Sequence, residues 1–224
     1  IIFQNNDDIN EFKYQRIINK EQKTYRVWGS GVDLNKFPFK PLPPKNTFLM
    51  VARILEHKGI LEYLKAAEIV LKRYPDSEFL LLGPFDSNPT SIDPKFLYEW
   101  QSKGIITYLG ISSNVSELLS RCRYFVLPSY REGTPRSSLE ALSTGRPIIT
   151  TDVPGCRETV TKNINGFLIP PKDHIALSEA MCKIMNLSNA EITKMAIASR
   201  ELAKVNYDSI KVASNLYNYI FNEI

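Results

Sequence analysis

Short apolar runs alternate with helical patterns through most of this chain, and that alternation constrains the fold more than any other feature. The apolar runs indicate strands at residues 48–53, 78–83, 105–109, 124–127, 147–151 and 166–170. Helical periodicity predicts helices at 59–74, 94–103, 115–121, 135–144, 175–186, 190–205 and 209–221, with a short helix from Cys156. Strands that are apolar throughout and separated by helices form parallel sheets covered on both faces. We therefore predict an α/β fold with one parallel sheet and helices on both faces.

Candidate site residues stand at the carboxyl ends of these predicted strands. Arg53 and Lys58 follow the first strand, Gly83 ends the second, Gly110 follows the third and Glu132 the fourth. In open parallel sheets, ligands bind beyond the carboxyl ends of the strands. The sequence therefore predicts that these residues meet at one edge of the sheet.

The turn after the fourth strand carries the strongest local signal, because it leads directly into a helix. Thr134 is a favourable N-cap, and Pro135 fits the first helical position, where its missing N–H costs nothing. The N–H groups of Arg136 and Ser137 would then face a ligand. A free helix N-terminus favours phosphate, so this turn predicts an anion site.

Two carboxylates bracket that turn. Glu132 lies in the loop before the helix and Glu140 in its second turn, so the two can grip different parts of one elongated ligand. Glu140 suits ribose hydroxyls, and Glu132 suits the hydroxyls of a donor sugar. Gly133 lets the backbone approach closely and tolerates unusual dihedrals, and Gly145 should end the helix. A structural interpretation stays open, because such caps are common and an isolated helical Glu is usually only solvated.

Composition argues against several classes of protein. Of 224 residues, 43% are hydrophobic and 23% charged, and no apolar run approaches the ~20 residues needed to span a bilayer. The net charge of +4 suits an anionic small ligand but does not argue for a nucleic-acid partner. Cys122, Cys156 and Cys182 are an odd number without metal-like spacing, which favours free thiols in a reducing compartment. A helix start near Cys156 could lower its pKa, although a small packing residue is the simpler interpretation.

The ends of the chain differ from its centre. Residues 1–4 indicate a strand and residues 8–20 a polar helix, and neither belongs obviously to the main sheet. The chain opens on the apolar run from Ile1, which we interpret as a strand of a longer protein. The nearby cations are expected to solvate a helix: Lys13, Arg16, Lys20, Lys23 and Arg26.

Several short motifs occur in a fixed order along the chain. They are Gly31-Val-Asp33, Val51-Ala-Arg53 with Lys58-Gly59, Glu132-Gly133 with Glu140, Gly145-Arg-Pro147 and Asn165-Gly-Phe167. Together they resemble glycosyltransferase family 4, the group 1 glycosyltransferases, over residues 27–186. That family has two Glu separated by seven residues, a spacing that Glu132 and Glu140 match. The resemblance implies a Rossmann-like domain, the C-terminal half of the two-domain GT-B architecture, in a retaining enzyme.

The resemblance implies roles for individual residues. Arg53 and Lys58 would contact the donor diphosphate, where two cations offset phosphate charge. Glu132 would contact the donor sugar, which makes these three the catalytic candidates, and Glu140 would hold the ribose. The remaining candidates bind substrate: Gly133, Thr134, Pro135 and Arg136 beside the phosphates, and Gly110 and Ile111 at the base. Gly31 and Asp33 mark the crossover between domains and are interpreted as structural.

Three parts are expected on this basis. Residues 1–26 would be the remnant of an N-terminal acceptor domain, residues 27–206 the nucleotide-sugar-binding domain, and residues 207–224 a helix that packs back on the N-terminal domain. That domain is otherwise missing from the chain and is an expected partner. Exposed apolar surface, including Trp28 and tyrosines of the last helix, is expected where it would lie.

The expected reaction is transfer of a hexose or N-acetylhexosamine from a nucleotide sugar, with UDP favoured, to a glycan or lipid-linked acceptor. Residues 132–140 and 151–158 are similar to a branch that adds galactose or N-acetylgalactosamine to lipid-linked precursors of bacterial surface glycans. No cofactor and no metal are expected, since no Asp/Glu cluster suggests a bound divalent ion. The expected location is the cytoplasm, with peripheral contact at the inner face of the cell membrane as an option for the full-length protein.

Two other functions stay open from the residues alone. One is a sugar-nucleotide epimerase of the same architecture, which needs no acceptor, and the other is a non-catalytic nucleotide-binding module. An NAD-dependent oxidoreductase is disfavoured, because no Gly-x-Gly-x-x-Gly follows a strand.

Overall fold

The computed structural model of the protein describes residues 1–221 and contains the predicted parallel sheet. Within these residues the strands are β1 (Ile2–Phe3), β2 (Tyr25–Arg26), β3 (Thr47–Val51), β4 (Glu78–Leu82), β5 (Thr107–Tyr108), β6 (Tyr124–Leu127), β7 (Ile148–Thr151) and β8 (Gly166–Ile169). The α-helices are α1 (Asn6–Tyr14), α2 (Ile60–Arg73), α3 (Pro94–Ser102), α4 (Val115–Arg121), α5 (Arg136–Thr144), α6 (His174–Met185), α7 (Asn189–Leu202) and α8 (Ser209–Phe221).

The main sheet has the strand order β5-β4-β3-β6-β7-β8, and every neighbouring pair is parallel. The chain builds outward from β3 to β5 and then returns to place β6 on the other side of β3. The direction of winding therefore reverses between β3 and β6. A crevice opens at such a reversal, outside the carboxyl ends of the two strands, and it is where ligands of doubly wound sheets bind.

Helices cover both faces of the sheet. Helix α2 packs against α6, and α5 packs against α4 and α7. Because crossovers between parallel strands are right-handed, these two groups lie on opposite faces. The strands between them are buried: Phe48 in β3 stacks 5.1 Å from Phe79 in β4 and lies 4.8 Å from Tyr124 in β6, measured between ring centroids. Burial of each such side chain contributes about 1.5–3 kcal/mol to stability.

Helix α5 ends as predicted. Gly145 takes the left-handed conformation at φ +80°, and its N–H donates to the carbonyls of Ala141 and Leu142. The next residue, Arg146, is fully buried and donates to the carbonyls of Cys122 and Thr144, among others. Its guanidinium satisfies carbonyl groups at the end of α5 that would otherwise lack donors.

The predicted helices at three places are shortened or altered. The helix expected over 8–20 spans Asn6–Tyr14, because Asn5 caps its start and the chain turns at Arg16 with a left-handed φ of +58°. The short helix from Cys156 is a single 3₁₀ turn, Arg157–Thr159. The helix expected over 190–205 ends at Leu202 and continues as a π-helical segment, Ala203–Tyr207.

The first 26 residues lie outside the main sheet, as the sequence indicates. Strands β1 and β2 form their own parallel pair. Tyr25 of β2 stacks on Tyr219 of α8 with ring centroids 4.3 Å apart, which joins the two ends of the chain. The expected C-terminal part, 207–224, is described here only as far as residue 221, and its last three residues lie outside the described part of the protein.

The expectation of an exposed Trp28 is wrong. Its ring is half-buried, edge-on to Tyr207 at 5.4 Å, and the guanidinium of Arg26 lies 3.7 Å from its centroid. Of the tyrosines expected to be exposed in α8, Tyr217 is exposed, whereas Tyr219 is half-buried against Tyr25. Within residues 1–221, no helix is long and apolar enough to cross a membrane.

Candidate active site

An ion pair between Lys58 and Glu132 lies at the reversal point of the sheet. The Lys58 Nζ and Glu132 Oε1 atoms are 2.5 Å apart, and the two side chains are only 14% and 13% exposed. Lys58 comes from the loop after β3 and Glu132 from the loop after β6. The tertiary fold thus joins two predicted catalytic residues that are 74 positions apart in sequence.

Two small residues, Ser129 and Cys156, lie next to the ion pair. The Ser129 hydroxyl donates to the same Glu132 oxygen at 2.8 Å, which fixes the orientation of the carboxylate. Cys156 lies buried beneath the pair, beside Thr150 and Thr151. Burial raises the pKa of its thiol to about 11, so the idea of a helix start lowering that pKa is wrong and the packing interpretation holds.

Two glycines allow the loops around the pair to approach each other closely. Gly59, at φ +76°, directly precedes α2, and a Cβ there would collide with the carbonyl of Pro128. Gly155, at φ +83°, lies under the loop of Glu132, whose N–H donates to the carbonyl of Pro154 at 3.1 Å. Both glycines combine a left-handed φ with a close backbone contact, which only glycine accommodates without strain.

The start of α5 differs by one residue from the prediction. Pro135 is the N-cap, Arg136 is the first helical residue, and the Thr134 side chain does not cap the helix. The Thr134 hydroxyl instead donates at 3.5 Å to the carbonyl of Gln4, because the N-terminal segment packs over this turn. Helix α5 therefore begins with free N–H groups and no side-chain cap of its own.

Ser138, in the first turn of α5, adds a polar atom to this helix start. Its hydroxyl is fully buried and has no hydrogen-bond partner among the described residues. Nor do the backbone N–H groups of Arg136 and Ser137 donate to any acceptor in residues 1–221. A helix start whose first N–H groups lack partners, beside a buried hydroxyl without a partner, favours a bound anion.

Arg53 comes from the same loop as Lys58 but has a partner of its own. Its guanidinium lies 2.8 Å from Asp86, in the loop after β4, and the Arg53 side chain remains about half exposed. Backbone N–H donation from Asn88 and the guanidinium of Arg53 lower the pKa of Asp86, and nearby His57 adds to this effect. Asp86 was missed by sequence reasoning, although it belongs to the polar loop that follows a predicted strand.

The turn after β5 lies next to these loops. The Gly83 N–H donates to the carbonyl of Gly110 at 2.8 Å, and the Tyr108 hydroxyl donates to the Gly83 carbonyl at 2.7 Å. Gly110 has φ +70° with open space around it, and Ile111 is 77% exposed. The turn therefore presents an uncovered apolar side chain at the same edge of the sheet.

Glu140 lies on a different side of α5. Its carboxylate pairs with Arg136 at 3.2 Å, rather than with Lys58 or Arg53. It lines a cavity of about 210 Å³ together with the crossover segment that contains Gly31 and Asp33. Burial raises the pKa of Glu140, and the charge of Arg136 opposes that shift. The carboxylate is therefore protonated at a higher pH than the carboxylate of an exposed Glu.

The N-terminal segment supplies contacts that sequence reasoning missed. Asp8, in the first turn of α1, pairs with Arg131, and Asp7 pairs with Arg157 at 3.1 Å. These contacts place α1 against the loop that carries Glu132. The sequence signal was the acidic start of a capped helix, but no pattern tells which basic residues such a helix will meet.

The arrangement can bind an elongated anion and stabilise charge that develops on it. Lys58 and Arg53 come from the loop after β3 and the start of α5 follows β6, so all three lie at the reversal point. Glu132, a carboxylate suited to hydroxyl groups, is paired with Lys58 there. Fixed positive groups at a site where negative charge develops are a major source of catalysis. Within the described residues, no group of three His, Cys, Asp or Glu side chains is arranged to hold a metal ion.

Comparison with known proteins places this geometry in a family. Residues 33–201 match the sequence profile of the family described as "Glycosyl transferases group 1". In Campylobacter jejuni, an "N,N'-diacetylbacillosaminyl-diphospho-undecaprenol alpha-1,3-N-acetylgalactosaminyltransferase" is 33% identical over 177 residues, covering 79% of this chain and 43% of its own length. In Escherichia coli, a "UDP-Gal:alpha-D-GlcNAc-diphosphoundecaprenol alpha-1,3-galactosyltransferase" is 31% identical over 171 residues, covering 69% and 43%.

The fold also matches solved structures. The structure of Anabaena HepE in complex with UDP superposes with a TM-score of 0.84 at 18% identity, covering 98% of this chain and 62% of that one. At this identity the likeness establishes the fold alone. The chain spans less than half the length of the two curated relatives that it matches.

Proposed function

This chain belongs to the group 1 glycosyl transferases, and we propose that it forms the donor-binding half of a hexosyltransferase. The reaction is transfer of a hexose or N-acetylhexosamine from a UDP sugar to a lipid-linked or glycan acceptor in bacterial surface polysaccharide synthesis. The observation that carries this proposal is the ion pair of Lys58 and Glu132 at the reversal point of the sheet. It sets a cation and a carboxylate side by side in the crevice to which we assign the sugar phosphate.

The diphosphate is assigned to the positive side of the crevice. Lys58 and Arg53 offer charge-assisted hydrogen bonds, and the uncapped start of α5 offers backbone N–H groups. Negative charge grows on the diphosphate as the bond to the sugar breaks. Groups already oriented toward that charge stabilise it without having to rearrange.

The sugar and the nucleoside are assigned to the remaining groups. Glu132 accepts hydrogen bonds from sugar hydroxyls, and Ser129 and Lys58 hold its carboxylate in place for this role. Ile111 and the open turn at Gly110 lie at the base. Glu140 accepts from the ribose, which requires its carboxylate to turn from Arg136 toward the nucleotide.

UDP is favoured as the nucleotide, and a lipid diphosphate as the carrier of the acceptor. The names of the two curated relatives specify galactose or N-acetylgalactosamine transfer to diphosphoundecaprenol acceptors. A further domain, of a size consistent with the uncovered part of these relatives, would bind the acceptor. Work on a lipid-linked acceptor would place the full-length protein in the cytoplasm, in peripheral contact with the inner face of the membrane.

The transfer is proposed to retain the anomeric configuration and to need neither cofactor nor metal. Arg53 and Lys58 supply the positive charge that a divalent ion supplies in other transferases. Incubation of the full-length protein with donor, acceptor and EDTA, followed by NMR of the anomeric proton of the product, tests both points. Loss of turnover with EDTA, or an inverted product, contradicts them.

Calorimetric titration tests the proposal itself. The chain is titrated with UDP, GDP and UDP-N-acetylgalactosamine, and the titration is repeated with Arg53→Ala and Lys58→Met. Binding of UDP that both substitutions weaken supports the site. Absence of UDP binding in both this chain and the full-length protein refutes it. Sugar isomerisation by the full-length protein in the absence of acceptor would favour an epimerase instead.

A further inference from the structure

The side chain of Gln4 occupies the space next to Gly133 that a Cβ atom would need. A Cβ built on Gly133 would overlap the amide oxygen of Gln4 and lie 3.2 Å from its amide carbon. Gly133 does not have the positive φ that would require glycine for backbone reasons. What a side chain at position 133 would meet is therefore the amide of Gln4. The glycine makes room for that amide directly after Glu132.

The backbone of Gln4 is fixed on both sides. Phe3 before it is paired with Arg26 in the small sheet, and the Gln4 carbonyl accepts from the Thr134 hydroxyl at 3.5 Å. Asn5 after it is fully buried and caps α1, accepting from the Asp8 N–H at 2.8 Å. The amide is consequently presented from a rigid support rather than from a loose chain end.

The first turn of α1 adds a second tie to the same loop. Asp8 pairs with Arg131, the residue before Glu132, and Asp7 pairs with Arg157. The N-terminal segment and the loop of Glu132 therefore hold one position relative to each other. The Gln4 amide therefore keeps a defined position relative to this loop.

The Gln4 amide is left free to bind a ligand. Neither its oxygen nor its nitrogen forms a hydrogen bond within residues 1–221, and the residue is exposed. A primary amide carries both donors and an acceptor, which suits hydroxyl and acetamido groups better than a phosphate. In the proposed site, the diphosphate of the donor is already bound by cations and backbone N–H groups, so the amide is available to the sugar.

We propose that Gln4 contacts the transferred sugar and helps to select it by hydrogen bonds to a hydroxyl or acetamido substituent. This inference rests on the proposed donor site at Glu132. It gives the N-terminal segment a part in donor selection, in addition to any part in binding the acceptor.

The ratio of the affinity for a UDP sugar to the affinity for UDP separates this role from general support of the site. UDP, UDP-galactose and UDP-N-acetylgalactosamine are titrated against the chain, Gln4→Ala and the control Gln15→Ala. Gln15 is exposed on the same segment and bonds only locally, to Glu11. We expect Gln4→Ala to bind UDP as the parent chain does but to lose about three- to tenfold in affinity for the preferred UDP sugar, the effect of one or two hydrogen bonds. Gln15→Ala should change neither value.

Gly133→Ala provides a second, independent variant. The new methyl group displaces the Gln4 amide, so the variant should lower the preference for the sugar to the same extent. Combination with Gln4→Ala should add little, because both changes remove the same interaction.

Fully additive losses overturn the proposal, as does an equal loss of affinity for UDP and for UDP sugars in Gln4→Ala. If the parent chain and the full-length protein both fail to bind UDP, the donor site itself fails and this inference with it; if UDP binds and Gln4→Ala leaves the sugar preference unchanged, only the inference fails.

Discussion

The α-carbon of Gly155 faces the backbone carbonyl of Glu132 so closely that no side chain fits between them. Gly155 also has φ +83°. The loop after β7 therefore packs directly against the loop after β6. The position of Glu132 depends on this contact, although Gly155 contacts no predicted ligand.

Substitution Gly155→Ala should destabilise the protein and weaken UDP binding together. The left-handed φ costs an alanine about 1–2 kcal/mol, and overpacking costs about 1–3 kcal/mol more. Gly104→Ala is the matched control, because Gly104 has φ +71° but nothing within 4 Å of a built Cβ. Urea unfolding and UDP titration of both variants measure the difference. Equal losses of stability in the two would contradict the close contact.

The ion pair of Lys58 and Glu132 should matter more than an exposed pair of the same length. Lys45 and Glu78 are also 2.5 Å apart, but their side chains are 54% and 46% exposed. Exposed pairs contribute about 0–1 kcal/mol, whereas a largely buried carboxylate without its cation costs about 1–3 kcal/mol. We expect Lys58→Met to lower the free energy of unfolding, measured in urea, more than Lys45→Met.

The affinity for UDP should also differ between Lys58→Met and Lys45→Met. Loss of one charge-assisted hydrogen bond to phosphate weakens binding by about 10- to 100-fold. Lys58→Met should show such a loss of UDP affinity by calorimetry, and Lys45→Met, at the other end of β3, should show none. Equal affinities in the two variants would remove Lys58 from the phosphate site.

Acidification should weaken nucleotide binding through Glu140. Burial raises the pKa of Glu140, so it is protonated at a higher pH than an ordinary Glu and then accepts hydrogen bonds poorly. UDP affinity should fall as the pH drops through this raised pKa, which lies above the usual Glu value of 4.5. In Glu140→Gln the affinity at neutral pH should be lower and its dependence on pH flatter. Glu99→Gln, on the exposed face of α3, is the control.

The same shift has the opposite effect on folding stability. Because the folded-state pKa is raised, the native protein binds the Glu140 proton more tightly than the unfolded chain does. The resulting stabilisation is fully present below the unfolded pKa and is lost as the pH rises through the folded pKa. The free energy of unfolding of Glu140→Gln should lack this pH-dependent contribution. If it changes with pH in the same way in the variant and the parent chain, this prediction is contradicted.

Arg146 should be essential for stability although it contacts no predicted ligand. Its guanidinium donates to carbonyls on three separate segments, including those of Cys122, Lys40 and Thr144. Arg146→Met leaves several buried carbonyls without donors and should cost about 3 kcal/mol or more. Arg146→Lys should also be unstable, since one ammonium cannot replace the planar fork. Arg121→Met, on an exposed residue at the end of α4, should change stability little by urea unfolding.

Periodicity was sufficient for the sheet and its helices because those signals are local. The run from Phe48 and the run from Tyr124 are apolar throughout, which identifies strands buried on both faces. Gly145 marked the end of α5 because a left-handed helix terminus favours glycine. The boundaries of α1 and α5 were less accurate. The local cap at Asn5 starts α1 earlier than predicted, and at the start of α5 the Thr134 hydroxyl bonds to the N-terminal segment instead of capping the helix.

The sequence by itself determined the α/β class, the residues at the carboxyl ends of the strands and the family, all of which depend on local pattern and motif order. Only the tertiary structure placed β6 beside β3, and thereby brought Lys58 to Glu132. It also decided that Arg53 pairs with Asp86 and that Gln4 lies over Gly133. Strand order and contacts between distant segments depend on the packing of the whole chain, and no local pattern of residues specifies them.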